Sequence, residues 1–121
     1  MKIFIRVMKA LSDPSRVRVL KLLQTGELCV CEIKEVLGLA QSTVSQHMKI
    51  LEDAGLVEKN RKGTWMIYSL ANGSESAYAE TMLTKLSDWL DNDNELDRMR
   101  KALPAAAVLR DCAPKSERID S

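Results

Sequence analysis

The chain has a single histidine, no glycine-rich loop of the kind that cradles phosphate, and no pair of carboxylates in an apolar setting. Acid–base, nucleophilic and phosphoryl-transfer chemistry each need such a constellation, so an enzyme is not expected. No uninterrupted apolar run approaches the roughly 20 residues that a membrane-spanning helix requires. The opening MKIFIRVMKALSDPSR carries too many charges and too short an apolar core for a signal peptide. The expected location is therefore the cytoplasm, with no membrane partner. Three cysteines are too few for a disulfide framework in such a chain, which leaves them structural, redox or metal-binding roles.

Neither sign of charge is in excess: the net charge is +1. The balance hides a pattern, because VEKNRKGTW gathers Lys59, Arg61 and Lys62 at a turn, while SDWLDNDNELD gathers Asp88, Asp91, Asp93, Glu95 and Asp97. A basic tip and an acidic segment cancel in the sum yet leave a local cationic footprint. At 121 residues the chain is expected to form one domain, small enough that a dimer burying further surface is unsurprising.

Punctuation along the chain is regular. FIRVMKAL reads as a short amphipathic first helix. Asp13-Pro14 is a helix start, since the aspartate accepts from unpaired N–H groups and proline suits the first helical position. Val17, Val19, Leu20, Leu22 and Leu23 follow, ending at Gly26. CVCEIKEVLG holds Val30, Ile33, Val36 and Leu37 at helical spacing and ends at Gly38. QSTVSQHMKILEDAG opens with Ser42 as the expected N-cap, buries Val44, Met48 and Leu51, and ends at Gly55. LVEKN and TWMIYSL then read as strands joined by RKG. One last helical pattern begins at Ser74 with Met82, Leu83, Leu86, Trp89 and Leu90 on a stripe, weakened at DNDN and resumed at Leu96, Met99 and Leu103. The expected class is mainly α with a small β-hairpin: a winged helix-turn-helix of order α-α-α-α-β-β-α. It should occupy residues 1–103, with a flexible C-terminal tail over 104–121.

The stretch from ALSDPSRVRVL through TWMIYSL, and about residues 5 to 90 in all, resembles the ArsR/SmtB family of winged-helix transcriptional repressors. ELCVCE is similar to the cysteine motif of that family's arsenite-sensing branch, and STVSQHMKILEDAGLV to its recognition helix. The resemblance implies a homodimer, paired through its first and last helices, that binds double-stranded operator DNA without any cofactor and lets go when an inducer binds.

The helix near Ser42 presents Gln41, Ser42, Thr43, Ser45, Gln46 and Lys49 away from its apolar face. Short hydroxyls and amides at a helix N-terminus suit phosphate oxygens and base edges. His47, on the same helix, reads as a DNA contact or a packing residue rather than a metal ligand. In the wing, Lys59, Arg61 and Lys62 suit phosphates, supplying affinity and salt dependence more than sequence choice.

Cys29 and Cys31 are candidate ligands with Cys112. On an ideal helix, residues two apart are rotated by about 200°, so two thiolates at that spacing cannot reach one ion; in extended backbone they share a face. Chelation is therefore expected to unwind or bend the start of that helix and displace the DNA-reading helix packed on it. Soft thiolates suit a thiophilic centre. With no carboxylate–histidine cluster beside them a tetrahedral zinc site is poorly supplied, whereas trivalent arsenic or antimony needs only three sulfurs, as the resemblance also implies. The resemblance puts a third thiolate three residues after the second, where this chain has Lys34. That leaves Cys112, a small thiol or hydroxide to complete the set. A redox or persulfide sensor of the same fold, using the same cysteines, is the alternative.

Overall fold

The Asp13-Pro14 signal begins a helix in the computed structural model, which describes the backbone of residues 1–63 and 65–112 and the side chains of residues 1–63 and 66–103. Helix α1 spans Lys2–Ala10 and α2 spans Pro14–Leu23. Asp13 is extended, and its Oδ2 accepts the N–H groups of Ser15 (2.9 Å) and Arg16 (3.2 Å). This satisfies two of the donors that a helix start leaves unpaired. Helix α3, Val30–Leu37, ends at Gly38 in the left-handed region (φ 70°), and α4, Gln41–Asp53, follows. Val44, Met48 and Leu51 are fully buried, and α4 packs on α1, α2 and α3. Ser42 is not its cap: the N-cap is Ala40, whose carbonyl accepts the first helical bond from Val44 N–H. The hydroxyls of Ser42 and Thr43 are thus not consumed as the cap.

Strands β2 (Val57–Lys62) and β3 (Trp65–Leu70) form the expected hairpin. A further strand was not anticipated. β1, Leu28–Cys29, pairs antiparallel with β3, so the sheet order is β1-β3-β2. Two residues are too few to display the period-2 alternation by which a strand is read.

The single last helix is likewise corrected to two: α5, Ala77–Leu86, and α6, Asn94–Cys112. Ser76, not Ser74, caps α5, accepting Ala79 N–H at 3.0 Å. The stripe breaks after Leu86: Trp89 and Leu90 are exposed, Leu90 adopts φ 65°, and Asp93 Oδ1 accepts Leu96 N–H (3.0 Å) at the new helix start. A leucine in the left-handed region cannot continue a helix. Leu96 and Met99 are buried as α6 packs on α3 and α2. Residue 104, expected to begin the tail, falls inside α6; residues 113–121 lie outside the described residues. No described helix is long and apolar enough to cross a membrane.

Lys21 is fully buried in α2, a position that helical spacing alone does not assign to a cation. Its Nζ donates to the carbonyl of Leu86 (2.6 Å) and to Asp91 Oδ1 (2.9 Å). The end of α5 and the segment before α6 are thereby fastened to the centre of the helical core.

Candidate nucleic-acid interface and thiol pair

Helices α3 and α4 and the turn between them form the helix-turn-helix. Around the buried face of α4, Gln41, Ser42, Ser45, Gln46 and Lys49 are exposed and Thr43 is half-buried. Lys49 Nζ lies 3.1 Å from Asp53 one turn on, a solvent-exposed pair worth little in stability. The exposed residues gather on one side of the helix, as an element entering a DNA groove requires.

His47 is placed differently. Its side chain is only 15% exposed, and its Nδ1 is 3.1 Å from Arg16 Nη1, with Nε2 3.9 Å from Asp13 Oδ2. Arginine has no acceptor, so Nδ1 accepts in this contact. Arg16 also donates through Nε to the Ala10 carbonyl (2.8 Å) and through Nη2 to that of Lys9 (3.0 Å). One guanidinium therefore joins the C-terminus of α1, the start of α2 and the middle of α4, and His47 faces α2 rather than the exposed side of α4. Arg16 escaped sequence reading because its partners lie 6, 7 and 31 positions away, beyond any local pattern.

Lys59, Arg61 and Lys62 are all exposed on β2. Successive side chains of a strand alternate faces, so Lys59 and Arg61 share one and Lys62 takes the other. Lys62 Nζ is paired with Glu27 Oε1 at 2.6 Å, whereas Lys59 and Arg61 form no ion pair among the described residues. Opposite Lys59 and Leu28 on β3 lies Tyr68, whose phenol is held above its usual pKa by burial first and the Glu52 carboxylate second. It stays a neutral hydroxyl.

The expectation that Cys29 and Cys31 converge only if the helix unwinds is overturned. α3 begins at Val30, so Cys29 is its N-cap, extended at φ −90° and ψ 167°, while Cys31 stands in the first turn. Their Sγ atoms already face each other in direct contact, with no disulfide between them. Both are buried beside Ile67, Cys29 at 2% exposure and Cys31 at 8%. The backbone break that the pair needs is supplied by the strand-to-helix junction.

Cys29 and Glu32 form a capping box: the Cys29 side chain meets the Glu32 N–H, and the Cys29 N–H donates to the buried Glu32 Oε1 at 2.9 Å. The thiols thus stand at the positive end of α3, where negative charge is stabilised. Through β1 they also join the wing, since Cys29 is opposite Ile67 and Leu28 opposite Tyr68. The soft donor set fits a thiophilic ligand. Among the described residues no three His, Cys, Asp or Glu side chains gather about one point. Lys34 is in α3, and Cys112 ends α6 with its side chain outside the described residues.

Comparison with known proteins bears on the family and the fold. The family model described as bacterial regulatory protein, arsR family, matches residues 13–59. An arsenical resistance operon repressor of Bacillus subtilis is 46% identical over 63 residues, which are 51% of this chain and 60% of that protein. An arsenic resistance transcriptional regulator of Pseudomonas putida is 37% identical over 92 residues, 72% of this chain and 71% of that protein. The solution structure of a homodimeric winged helix-turn-helix DNA-binding domain from Mycobacterium bovis, described as a possible ArsR-family regulator, is 33% identical with a TM-score of 0.59. That match covers 72% of this chain and 80% of the other. The chain spans about three fifths of the length of the Bacillus repressor.

Proposed function

Because the chain belongs to the arsR family of bacterial regulatory proteins, we propose that it represses transcription as a metalloid-responsive homodimer in the cytoplasm, holding operator DNA until Cys29 and Cys31 take a trivalent arsenic or antimony. Family and fold are those of a DNA-binding transcriptional repressor, not an enzyme. The observation that carries the finer reading is the buried sulfur pair in direct contact at the junction of β1 and α3. The arsenical resistance repressors among its relatives support arsenic as the inducer. The homodimeric Mycobacterium bovis neighbour supports a dimer, as do exposed Ile3 and Phe4 on α1 and Tyr78 on α5.

In this reading Gln41, Ser42, Thr43, Ser45, Gln46 and Lys49 contact operator DNA, and His47 braces the helix that carries them. Lys59 and Arg61 meet phosphates, with Lys62 beside them when it leaves Glu27. The metalloid, when bound, supplies a centre that bonds thiolates; Cys112 is the proposed third ligand. Cys29 and Cys31 adjust their separation to hold that centre. Any such movement shifts Cys29 against Ile67 on the wing and, through Cys31, the start of α3, a helix that packs on α4. The DNA-reading elements are therefore disturbed from two sides. A coupling of about 2.7 kcal/mol amounts to a hundredfold loss of affinity.

The test uses a palindromic operator selected by the chain itself from random duplexes, with arsenite, zinc, cadmium and peroxide compared under reducing conditions. Arsenite should release the operator about a hundredfold and zinc should not. Release by peroxide with none by arsenite would replace this reading with the redox one. On the same operator, Arg61→Ala should weaken binding on all sequences alike and flatten the salt slope by about one unit per protomer. A change confined to one base pair would instead make Arg61 a base contact.

A further inference from the structure

A marked excess of positive charge lies in α1 and α2, away from the wing. Through residue 26 the chain has six cations, Lys2, Arg6, Lys9, Arg16, Arg18 and Lys21, and one carboxylate, Asp13. Lys21 is buried and paired, and Arg16 is spent on backbone carbonyls and His47. Arg18 is half-buried on α2, and Lys2, Arg6 and Lys9 remain on α1. They are exposed, form no ion pair among the described residues, and at i, i+4 and i+7 share one face of α1. That face borders a groove of about 620 Å³ whose far wall is Ile50 and Asp53, in the C-terminal half of α4. Asp53, the only carboxylate lining the groove, is paired with Lys49.

The opposite flank of α1 is different in kind. Phe4 lies about 200° around the helix from Lys2 and stacks edge-on against Tyr78 of α5, ring centroids 5.3 Å apart. α1 is thus divided: an aromatic flank toward α5, suited to a second subunit, and a cationic flank toward the helix that reads DNA. Three like charges with no counterion on the face call for a polyanion. Seven residues of helix extend about 10 Å, roughly three phosphate steps of one DNA strand.

We propose that Lys2, Arg6 and Lys9 form a second phosphate-contacting surface for duplex DNA, continuous with the exposed face of α4 and independent of the wing. The inference rests on the reading of the chain as a DNA-binding repressor. It adds a contact that supplies affinity without sequence choice.

The test measures the salt dependence of binding to a random-sequence duplex between about 50 and 200 mM salt, for the unaltered chain, Arg6→Gln, Lys9→Gln and a control, Lys101→Gln on α6. Molecular mass is followed by light scattering at the same concentrations. Each stripe substitution should flatten the slope of log affinity against log salt by about 0.9 for every protomer bound, with mass unchanged, while Lys101→Gln leaves the slope alone. An unchanged slope in both stripe variants overturns the proposal. A flatter slope accompanied by a fall in mass also overturns it, assigning the stripe to a second copy's acidic 88–97 segment. Failure of the unaltered chain to bind any duplex would instead defeat the DNA-binding reading on which it rests.

Discussion

Cys29→Ser should keep operator affinity within about threefold of the parent chain and abolish the hundredfold release by arsenite, a loss of about 2.7 kcal/mol of coupling. The prediction follows from what Cys29 does in α3. It is the N-cap and half of a capping box with Glu32. Serine is among the preferred N-cap residues, and its hydroxyl accepts the same Glu32 N–H, so α3 keeps its start. A serine oxygen is a hard donor that carries its proton at neutral pH, so it does not replace a thiolate toward a thiophilic centre. Cys29→Ala is the wrong control, because losing the cap costs about 0.5–2 kcal/mol by itself. Fluorescence anisotropy on the selected operator, with and without arsenite, reads both quantities. A collapse of operator affinity in the serine variant would make Cys29 a packing residue of the β1–α3 junction, and the proposed inducer site would go with it.

The largest stability effect is expected at Lys21. Lys21→Met keeps most of the buried stem but removes the donor to the Leu86 carbonyl, leaving that acceptor unpaired in the interior at about 1–3 kcal/mol. Lys21→Ala adds a cavity and should reach about 3–5 kcal/mol, the range of large-to-small core substitutions. Asp91→Asn should cost about 1 kcal/mol or less, because the amide still offers an oxygen to the Lys21 ammonium and only the charge of a side chain that is 53% exposed is lost. Denaturant midpoints at equal protein concentration make the comparison fair for a chain proposed to dimerise. Should Lys21→Met match the parent, the bond to Leu86 contributes nothing and the lysine stem alone holds α5 in place.

These two sites were legible to different degrees before any coordinates. The cysteines are visible in the sequence as a pair, but on an ideal helix their convergence requires unwinding. The strand-to-helix junction at Val30 removes the need. It is set by Cys29 pairing with Ile67, 38 positions away, which no local rule anticipates. Lys21 is hidden in the sequence: by spacing it is a cation in an apolar run, and only the Leu86 carbonyl and the Asp91 carboxylate, brought in from distant positions, make its burial tolerable. His47 reads in the sequence as a DNA contact or a packing residue, and its turn toward Arg16 depends on how α4 crosses α2. The two-residue β1 and the break at Leu90 were missed for a related reason, being decided by partners rather than by periodicity.

Taken alone, the amino-acid order determined what near neighbours can decide: helix starts at Asp13-Pro14, stops at Gly38, the buried row Val44–Met48–Leu51 and the exposed polar row beside it, the basic hairpin, and hence the winged helix-turn-helix. Caps and amphipathic periods act over three or four residues, so they are written in the order of the chain. Tertiary structure decided which distant groups meet: two sulfurs brought together by a strand pairing, a guanidinium spanning three helices, a buried ammonium finding a carbonyl, and a cationic flank of α1 laid along the helix proposed to read DNA. Those meetings depend on the relative placement of whole elements, which is settled by packing and has no signature in local spacing.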